Sequence, residues 1–252
     1  MNQLAVLILT KNEEQNITTA VQNAQLVADE VIVIDSGSTD ATRELAMKAG
    51  AKVARRAWNN DFAAQRNFAL EQTTAEWVLY LDADERLNEA LVQGIKKAMA
   101  ADDRTKQYRL ERKSVAFGQE FSYGVLYPDQ VARLFLRTTV HWVGKVHEHP
   151  ECNLAAVNLP GYARHYTYTS WQQWEQKFSQ YTSIWAQNAY ENGKHITLPA
   201  ILGHALAGFG KMFLVRQGYR DGWLGIYMCC NHFFYTLLKY LKLYELQGKG
   251  KA

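Results

Sequence analysis

The stretch Trp77-Val78-Leu79-Tyr80-Leu81-Asp82-Ala83-Asp84-Glu85-Arg86 decides the fold that we predict for this chain. Its first five residues are apolar, which is typical of a short strand buried on both faces of a parallel sheet. The strand leads into two carboxylates, Asp82 and Asp84, and if the extended geometry continues through Ala83 their side chains point to the same face. The alternative is that both residues open a turn and cap a helix that begins near Leu87.

Two carboxylates so close together are unfavourable unless a cation lies near them. Mg²⁺ and Mn²⁺ are held by one or two carboxylates together with the phosphates of a substrate. Open α/β sheets bind their ligands at the carboxyl ends of strands, where Asp82 and Asp84 lie in this prediction. The stretch therefore predicts a site for a divalent metal ion and a diphosphate.

The segments around this strand predict an α/β fold. Apolar runs and helical patterns alternate in the order β-α-β-α-β-α-β-α, which is typical of a doubly wound parallel sheet. After residue 105 the pattern changes to several short strands, and from residue 198 the chain becomes apolar and aromatic. The four predicted strands are Leu4–Leu9, Val31–Ile34, Ala51–Ala54 and Trp77–Leu81.

Composition limits the classes of function. The chain has 252 residues and a formal net charge of only +3, so nothing in its charge indicates a nucleic-acid partner. The charge is uneven: residues 203–252 contain seven Lys or Arg and two acidic residues, which gives this part +5. The three cysteines have no paired spacing, which indicates reduced thiols in a cytoplasmic protein.

The C-terminal part contains two aromatic features. One face of a predicted helix carries a stripe that is either core packing or a platform for a sugar. The uncharged run Gly222–Leu238 has 17 residues, fewer than the roughly 20 that a membrane span needs. With its basic flanks it fits a helix that lies on an anionic membrane face, or else a packed helical subdomain. The stripe is Trp171, Trp174, Phe178, Tyr181 and Trp185.

Four motifs in the same order make the chain resemble the inverting family 2 glycosyltransferases with the GT-A fold. The resemblance covers about residues 1–150. Within that family the chain looks most like the small bacterial enzymes that glucosylate the inner-core heptose of lipopolysaccharide or lipooligosaccharide, because it shares segments 133–135, 143–148 and 219–222 with them. The four motifs are Thr10-Lys11-Asn12-Glu13, Asp35-Ser36-Gly37-Ser38-Thr39-Asp40, Gln65-Arg66-Asn67 and Asp82-Ala83-Asp84.

The resemblance implies a fold and a division of the chain. We expect a GT-A, Rossmann-like, mostly parallel sheet with helices on both faces, plus a helical, aromatic-rich C-terminal extension. Residues 1–150 would form the catalytic domain that binds the nucleotide sugar. Residues 151–252 would form an extension that faces the acceptor and the membrane.

The resemblance also implies roles for the residues in the motifs. Thr10, Glu13 and Asp35 match positions that contact the nucleoside. The alternative role of Asp35 is to form a turn, and that of Glu13 is to cap the first helix. Arg66 would reach the diphosphate or the donor sugar, unless it is a solvated helical arginine. Asp82 would bind the ribose or the donor sugar, or reach the metal through water. The second carboxylate of the pair, Asp84, matches the direct metal ligand.

The catalytic base of an inverting enzyme must lie opposite the leaving diphosphate and accept the proton of the attacking hydroxyl. Glu148 follows the metal motif at a distance at which the family places an acidic base, so we expect it to be the base, with His149 as the alternative. His147 would be a metal or phosphate ligand, unless it only orients Glu148. Arg112, Arg133 and Arg137 would face an acceptor that carries phosphates, unless they are surface charges.

These expectations define one leading function and its rivals. The leading function is transfer of a hexose, glucose from UDP-glucose, to an inner-core heptose, with Mg²⁺ or Mn²⁺ as cofactor. The enzyme would be cytoplasmic and peripheral on the inner face of the bacterial inner membrane. The rivals are transfer to a polyprenyl phosphate or a protein side chain, and, in another class, nucleotidyl transfer. The acidic Thr10–Glu13 segment offers no basic, glycine-rich loop for a triphosphate, which speaks against the last.

Overall fold

The structure is a computed structural model, and it describes residues 3–144 and 148–249. The β-α alternation that the sequence predicts up to residue 101 is confirmed, except that a short additional strand precedes the fourth helix. The strands are β1 Leu4–Thr10, β2 Glu30–Asp35, β3 Lys52–Arg55, β4 Trp77–Asp82, β5 Glu85–Leu87, β6 Lys106–Ala116, β7 Gln119–Glu120, β8 Asp129–Leu136, β9 His141–Val143, β10 His149–Glu151 and β11 Ala155–Tyr168. The α-helices are α1 Ile17–Ala24, α2 Thr42–Lys48, α3 Phe62–Glu71, α4 Glu89–Ala101, α5 Trp171–Glu191, α6 Leu198–Gly210 and α7 Gly222–Lys249.

The main sheet has the strand order β3-β2-β1-β4-β8-β6-β11-β5. β1, β2, β3 and β4 pair in parallel, with Thr10 opposite Asp35 and Leu9 opposite Asp82. Beyond β4 the sheet becomes antiparallel: β8 pairs with β4 and with β6, and β5 pairs with β11. The predicted α/β class with a GT-A-like sheet is confirmed, and the antiparallel strands are the part that continues past the doubly wound core.

Alternate residues of the parallel strands enter two separate cores, which explains their unbroken apolar sequence. Leu4, Val6 and Ile8 of β1 belong to one core with side chains of α1, α2 and α4. Ala5 and Leu7 belong to the other, with side chains of α3. The sheet therefore has helices on both faces, as expected.

The chain divides into two compact units. The first consists of residues 1–112 and 129–165, and the second of residues 113–128 and 166–252. The sequence-based division into residues 1–150 and 151–252 as functional domains stays a prediction.

In the second unit the aromatic stripe is partly packed and partly exposed, and its role as a sugar platform stays a prediction. Trp185 packs on Tyr240 at 4.7 Å between ring centroids. Trp174, Phe178 and Tyr181 line a cavity of about 210 Å³, and the Tyr181 side chain is 48% exposed. The stripe therefore combines core packing with an open aromatic surface.

One helix among the described residues is long and apolar enough to cross a membrane by length and composition. It is Leu198–Val215, which joins α6 to the π-helical turn Lys211–Val215, and only 11% of it is buried. The run that the sequence singled out, Gly222–Leu238, lies instead in α7, which packs on α6 through Tyr240 and Leu243. The helix that meets the length and composition of a membrane span therefore precedes the segment that the sequence singled out.

Candidate functional site

The candidate site lies at the carboxyl ends of three adjacent parallel strands. β1 ends at Thr10, β2 at Asp35 and β4 at Asp82, and hydrogen-bonded register places these three residues at one edge of the sheet. Because each strand ends where its apolar run stops, the sequence pattern alone puts polar side chains at this edge. The structure thus brings together three of the predicted site residues.

Asp82 is held by two buried arginines. Arg133 Nη2 donates to its Oδ2 at 2.8 Å, and Arg66 Nη2 donates to its Oδ1 at 3.4 Å. Burial alone would raise the pKa of Asp82, but the charges of Arg133 and Arg66 outweigh it and hold the pKa well below its usual value. Asp82 is therefore a carboxylate whose charge is already balanced by protein groups.

Glu85 belongs to the same network, although the sequence analysis did not single it out. It is 1% exposed and accepts from the Asp82 N–H at 3.0 Å, which closes the turn between β4 and β5. Arg133 Nη2 lies 3.4 Å and Arg112 Nη1 lies 3.7 Å from Glu85 Oε1. Burial, with the neighbouring charge of Asp82, raises the pKa of Glu85 despite these arginines. The one signal for it in the sequence is its place directly after the Asp-x-Asp motif.

Asp84 does not share the surroundings of Asp82. The strand ends at Asp82, and Ala83 and Asp84 form a turn, so the extended geometry that would align the two carboxylates is not met. Asp84 Oδ2 lies 3.2 Å from Nε2 of His165 on β11. Helix α4 is capped by Asn88, whose Oδ1 accepts from the Leu91 N–H, and neither aspartate caps it.

Glu148 and Arg66 contact each other and line one cavity of about 370 Å³. Arg66 donates from Nε and Nη2 to Glu148 Oε1, each at 3.4 Å, and its guanidinium stacks over Trp142 at 4.6 Å. The cavity is also lined by Asp82 and Arg133. The predicted base and the predicted sugar-binding residues thus share one cavity, and the view of Arg66 as a solvated helical arginine is wrong, since it is 5% exposed.

Buried polar atoms without a hydrogen-bond partner collect around this cavity. Among the described residues there are five such side-chain atoms, and three of them belong to N–H donors that line the cavity. Buried donors in folded proteins are nearly always paired, so an unpaired group points to a missing ligand or water. The five atoms are Thr10 Oγ1, Gln65 Oε1, Arg66 Nη1, Arg133 Nη1 and Trp142 Nε1.

The remaining predicted residues have clear structural roles. Asp35 is fully buried and accepts from the N–H groups of Gly37 and Ser38, so it forms the turn after β2. The Glu13 carbonyl accepts from the Ile17 N–H at the start of α1, and its carboxylate accepts from Asn16 Nδ2 at 2.7 Å. Their nucleoside contacts stay predictions. His147 lies outside the described residues.

All three arginines expected to face the acceptor are held by protein groups, Arg133 by Asp82 and Glu85. Arg137 Nε donates to the Ala75 carbonyl at 3.1 Å. Arg112 donates to both carboxylate oxygens of Asp129, at 3.1 and 2.8 Å, and also lines the cavity. Arg133 is the one of the three that has an unpaired nitrogen.

Comparison with known proteins identifies related sequences. Residues 5–120 match the family model described as glycosyl transferase family 2. The whole chain is 29% identical to an uncharacterized glycosyltransferase of Rickettsia typhi, and the match covers 90% of that protein. Over 96% of its length the chain is 26% identical to a lipopolysaccharide core biosynthesis glycosyltransferase of Rhizobium meliloti, of which 92% is covered.

A solved structure matches a smaller part. Glucosyl-3-phosphoglycerate synthase from Mycobacterium tuberculosis, in complex with Mn²⁺, UDP-glucose and glycerol 3-phosphate, is 25% identical over 47% of this chain and 46% of that chain. The TM-score is 0.37, which supports no correspondence of residues or ligands.

Proposed function

We propose that this chain, a glycosyltransferase whose residues 5–120 are a family 2 domain, transfers glucose from UDP-glucose to an inner-core heptose of lipopolysaccharide. The acceptor class is supported by the full-length similarity to a lipopolysaccharide core biosynthesis glycosyltransferase. The donor is inferred from the resemblance of segments 133–135, 143–148 and 219–222 to the core glucosyltransferases.

The observation that carries the proposal is the set of unpaired donors around the Glu148 cavity. Arg66 Nη1, Arg133 Nη1 and Trp142 Nε1 are buried N–H groups that need acceptors. Sugar hydroxyls and diphosphate oxygens are such acceptors, and charge-assisted bonds from arginine to a diphosphate are the stronger kind. A cavity of about 370 Å³ that offers these donors beside two carboxylates suits a glycosyl group and its phosphates.

In the proposed reaction Glu148 accepts the proton of the attacking acceptor hydroxyl. The oxygen of that hydroxyl forms a bond to the anomeric carbon while the bond from this carbon to the diphosphate oxygen breaks, and UDP leaves. Arg66 contacts both Glu148 and Asp82, so it holds the base next to the residue proposed for the donor sugar. Thr10, with an unpaired hydroxyl at the end of β1, and Asp35 opposite it would contact the nucleoside.

The residues present fit a divalent metal ion at Asp84. Its carboxylate is 26% exposed and faces an imidazole, whereas Asp82 is neutralised by arginines. When bound, such an ion stabilises the negative charge that develops on the departing diphosphate. His147 as a further metal or phosphate ligand stays a prediction.

We also propose that the enzyme acts at the cytoplasmic face of an anionic membrane, to which helix Leu198–Val215 binds. Its exposed apolar side chains lie close in sequence to Lys211 and Arg216, and apolar faces with basic neighbours bind anionic lipid surfaces. These exposed side chains are Leu198, Leu202, Leu206, Leu214 and Val215.

Sedimentation with vesicles tests the membrane proposal. The double variant L202E/L206E should lose binding to vesicles that contain anionic lipid, while L26E, at an exposed leucine of the first unit, should bind as the unchanged protein does. Equal sedimentation of L202E/L206E and the unchanged protein would contradict it.

The transferase proposal is tested by UDP release from a panel of UDP-sugars, with and without Mn²⁺, and with truncated lipopolysaccharide as the acceptor. We expect release that requires UDP-glucose, the metal and the heptose-bearing acceptor. Transfer to a polyprenyl phosphate or a protein instead would reject the acceptor, and release of pyrophosphate would revive nucleotidyl transfer.

A further inference from the structure

The second unit contains a cavity of about 210 Å³ that the proposed reaction does not use. Its walls come from α5, α7, the end of β11 and the 3₁₀ turn Gly124–Leu126. No residue that lines it also lines the Glu148 cavity, so the two are separate sites. Pockets for drug-sized ligands measure about 300–1,000 Å³, and the smaller volume here suits a single ring.

Aromatic rings form much of the wall. Trp174 and Phe178 are neighbours on α5, with 4.9 Å between their ring centroids, and Tyr235 of α7 meets Phe178 edge to face at 5.5 Å. Tyr168 and Tyr181 also line the cavity. Aromatic rings bind C–H groups through their faces, and one face of a pyranose ring consists of such groups.

The tyrosines also bring hydroxyl groups to this aromatic wall. Among residues 3–144 and 148–249, the hydroxyls of Tyr168, Tyr181 and Tyr235 have no hydrogen-bond partner. Burial, and then the nearby hydroxyl of Tyr181, raise the pKa of both Tyr168 and Tyr235, so the three hydroxyls lie close together. Each can donate and accept a hydrogen bond, as the hydroxyls of a sugar can.

Two neighbouring residues of α7 add an amide and an imidazole to the lining. Asn231 Nδ2 donates to the Tyr227 carbonyl at 3.2 Å, which leaves Asn231 Oδ1 as an acceptor. Burial and the charges of nearby basic residues lower the pKa of His232, so its ring is neutral near pH 7. A neutral imidazole has one donor and one acceptor nitrogen.

We propose that this cavity binds one pyranose ring of a saccharide. The C–H face of the sugar lies on the aromatic rings, and its hydroxyls bond to the tyrosine hydroxyls, Asn231 and His232. The inference rests on the saccharide acceptor proposed above, of which this ring is a part. Pockets that combine aromatic walls with a few convergent polar groups are typical of sites that fix the orientation of a ligand.

The alternative occupant is the acyl chain of a lipid. An acyl chain would fill the aromatic part of the cavity but would offer no hydrogen bonds. The hydroxyl, amide and imidazole groups would then be buried without partners, which is unfavourable inside a protein. The mixed lining therefore favours the sugar, and the two occupants can be compared directly.

The test follows indole N–H signals in nuclear magnetic resonance spectra of the ¹⁵N-labelled full chain. Trp174 lines this cavity and Trp142 lines the Glu148 cavity, so their signals report on the two sites separately. The variants W174F and W142F assign the signals, because each lacks one of them. The probes are the lipid-free core oligosaccharide released from truncated lipopolysaccharide by mild acid, and decanoate as an acyl chain.

We expect the oligosaccharide to shift the Trp174 signal saturably and decanoate to leave it in place. The variant Y181F/Y235F keeps both rings and removes two hydroxyls, so the Kd from the Trp174 signal should rise at least about 5-fold. Y244F, at an exposed tyrosine of α7, is the control and should bind as the unchanged protein does. Circular dichroism and thermal unfolding verify that each variant is folded.

The outcomes separate this inference from the proposed transferase reaction. A Trp174 signal that does not respond to the oligosaccharide would overturn the inference, and a shift with decanoate instead would assign the cavity to an acyl chain. Equal affinity of Y181F/Y235F and the unchanged protein would also overturn it. Failure of the transferase proposal is read from UDP release, so a saturable Trp174 shift without any UDP release would keep the saccharide site and reject the reaction.

Discussion

Two short segments of this molecule carry motifs on which the sequence resemblance rests. They differ in whether the polar groups in and around them have hydrogen-bond partners. In the carboxylate turn, residues 82–86, buried donors of nearby arginines lack partners. In the glycine segment, residues 218–225, Asp221 accepts from the N–H groups of Ser122 and Tyr123, and its carbonyl accepts from Gln119. All described buried side-chain atoms without a partner lie in the unit that contains the carboxylate turn.

This contrast separates motifs that bind a ligand from motifs that build the fold. A site for a polar ligand leaves donors unpaired until the ligand arrives, and this costs stability. A structural motif pairs its polar groups and fills its space. We therefore expect substitutions in the first region to reduce activity and substitutions in the second to reduce stability.

The largest effect should come from Glu148. E148Q keeps the shape of the side chain but cannot take a proton, so we expect kcat to fall about 10²- to 10⁴-fold, with little change in thermal unfolding. E151Q, an exposed glutamate on the same hairpin, is the control and should keep its activity. UDP release measures both, and near-normal turnover by E148Q would place the base elsewhere.

A substitution of Arg133 measures how much the charge network around Asp82 contributes to the free energy of unfolding. In R133M the buried Glu85 and the partly buried Asp82 lose a shared partner, and we expect the free energy of unfolding to fall by about 3–5 kcal/mol. Urea unfolding measures the loss. Arg133 thus has both properties that the comparison separates, since it stabilises the carboxylate turn and also offers an unpaired donor to a ligand.

Arg104 provides a matched control, because it also bridges two carboxylates, Glu76 and Asp102, but with a side chain that is 52% exposed. Solvent screens exposed pairs, so R104M should unfold at nearly the same urea concentration as the unchanged protein. Equal losses in R104M and R133M would show that burial does not set the strength of this network.

The parts of the fold and of the site that could be predicted from the sequence are those set by residues close to one another along the chain. The four parallel strands and the gathering of Thr10, Asp35 and Asp82 at one edge follow from apolar runs and from the rule that parallel strands share an edge. The prediction that the Asp82 and Asp84 side chains point to the same face depended on extended backbone at Ala83. The chain instead forms a turn there.

Glu85 and His165 could not be found because their roles arise from distant pairing. The strand β5 has three residues, too few for a periodic signal, and its partner β11 lies far along the chain, with Ala163 opposite Leu87. Likewise, the sequence singled out the uncharged run in α7 and not the helix Leu198–Val215, because both are apolar in sequence and Lys211 interrupts the second.

The glycine segment should respond through stability alone. In G225A the new Cβ would lie 2.1 Å from the Gly218 carbonyl oxygen, a backbone atom that cannot move aside cheaply. We expect the free energy of unfolding to fall by about 1–3 kcal/mol, while activity per folded molecule is kept. G203A of α6 is the control: nothing lies within 4 Å of its new Cβ, so the free energy of unfolding should rise by about 0.5–1 kcal/mol. A stable G225A would mean that α7 is not packed on this segment.

The smallest effect concerns Cys229, which is buried against the glycine segment: a Cβ at Gly218 would lie 2.4 Å from its Sγ. Burial raises the pKa of this thiol to about 11, so at pH 8 only about one molecule in 10³ carries the thiolate that reacts with alkylating reagents.

In the variant C152S/C230S, iodoacetamide should label Cys229 about 10²-fold more slowly than a free thiol of pKa ~8.5, and the rate should rise about tenfold per pH unit up to pH 11. In C152S/C229S the exposed Cys230 should be labelled much faster. Mass spectrometry of the labelled peptides gives both rates. Fast labelling of Cys229 at pH 8 would mean that the glycine segment opens in the native protein. The glycine segment would then no longer be an example of a packed structural motif to compare with the carboxylate turn.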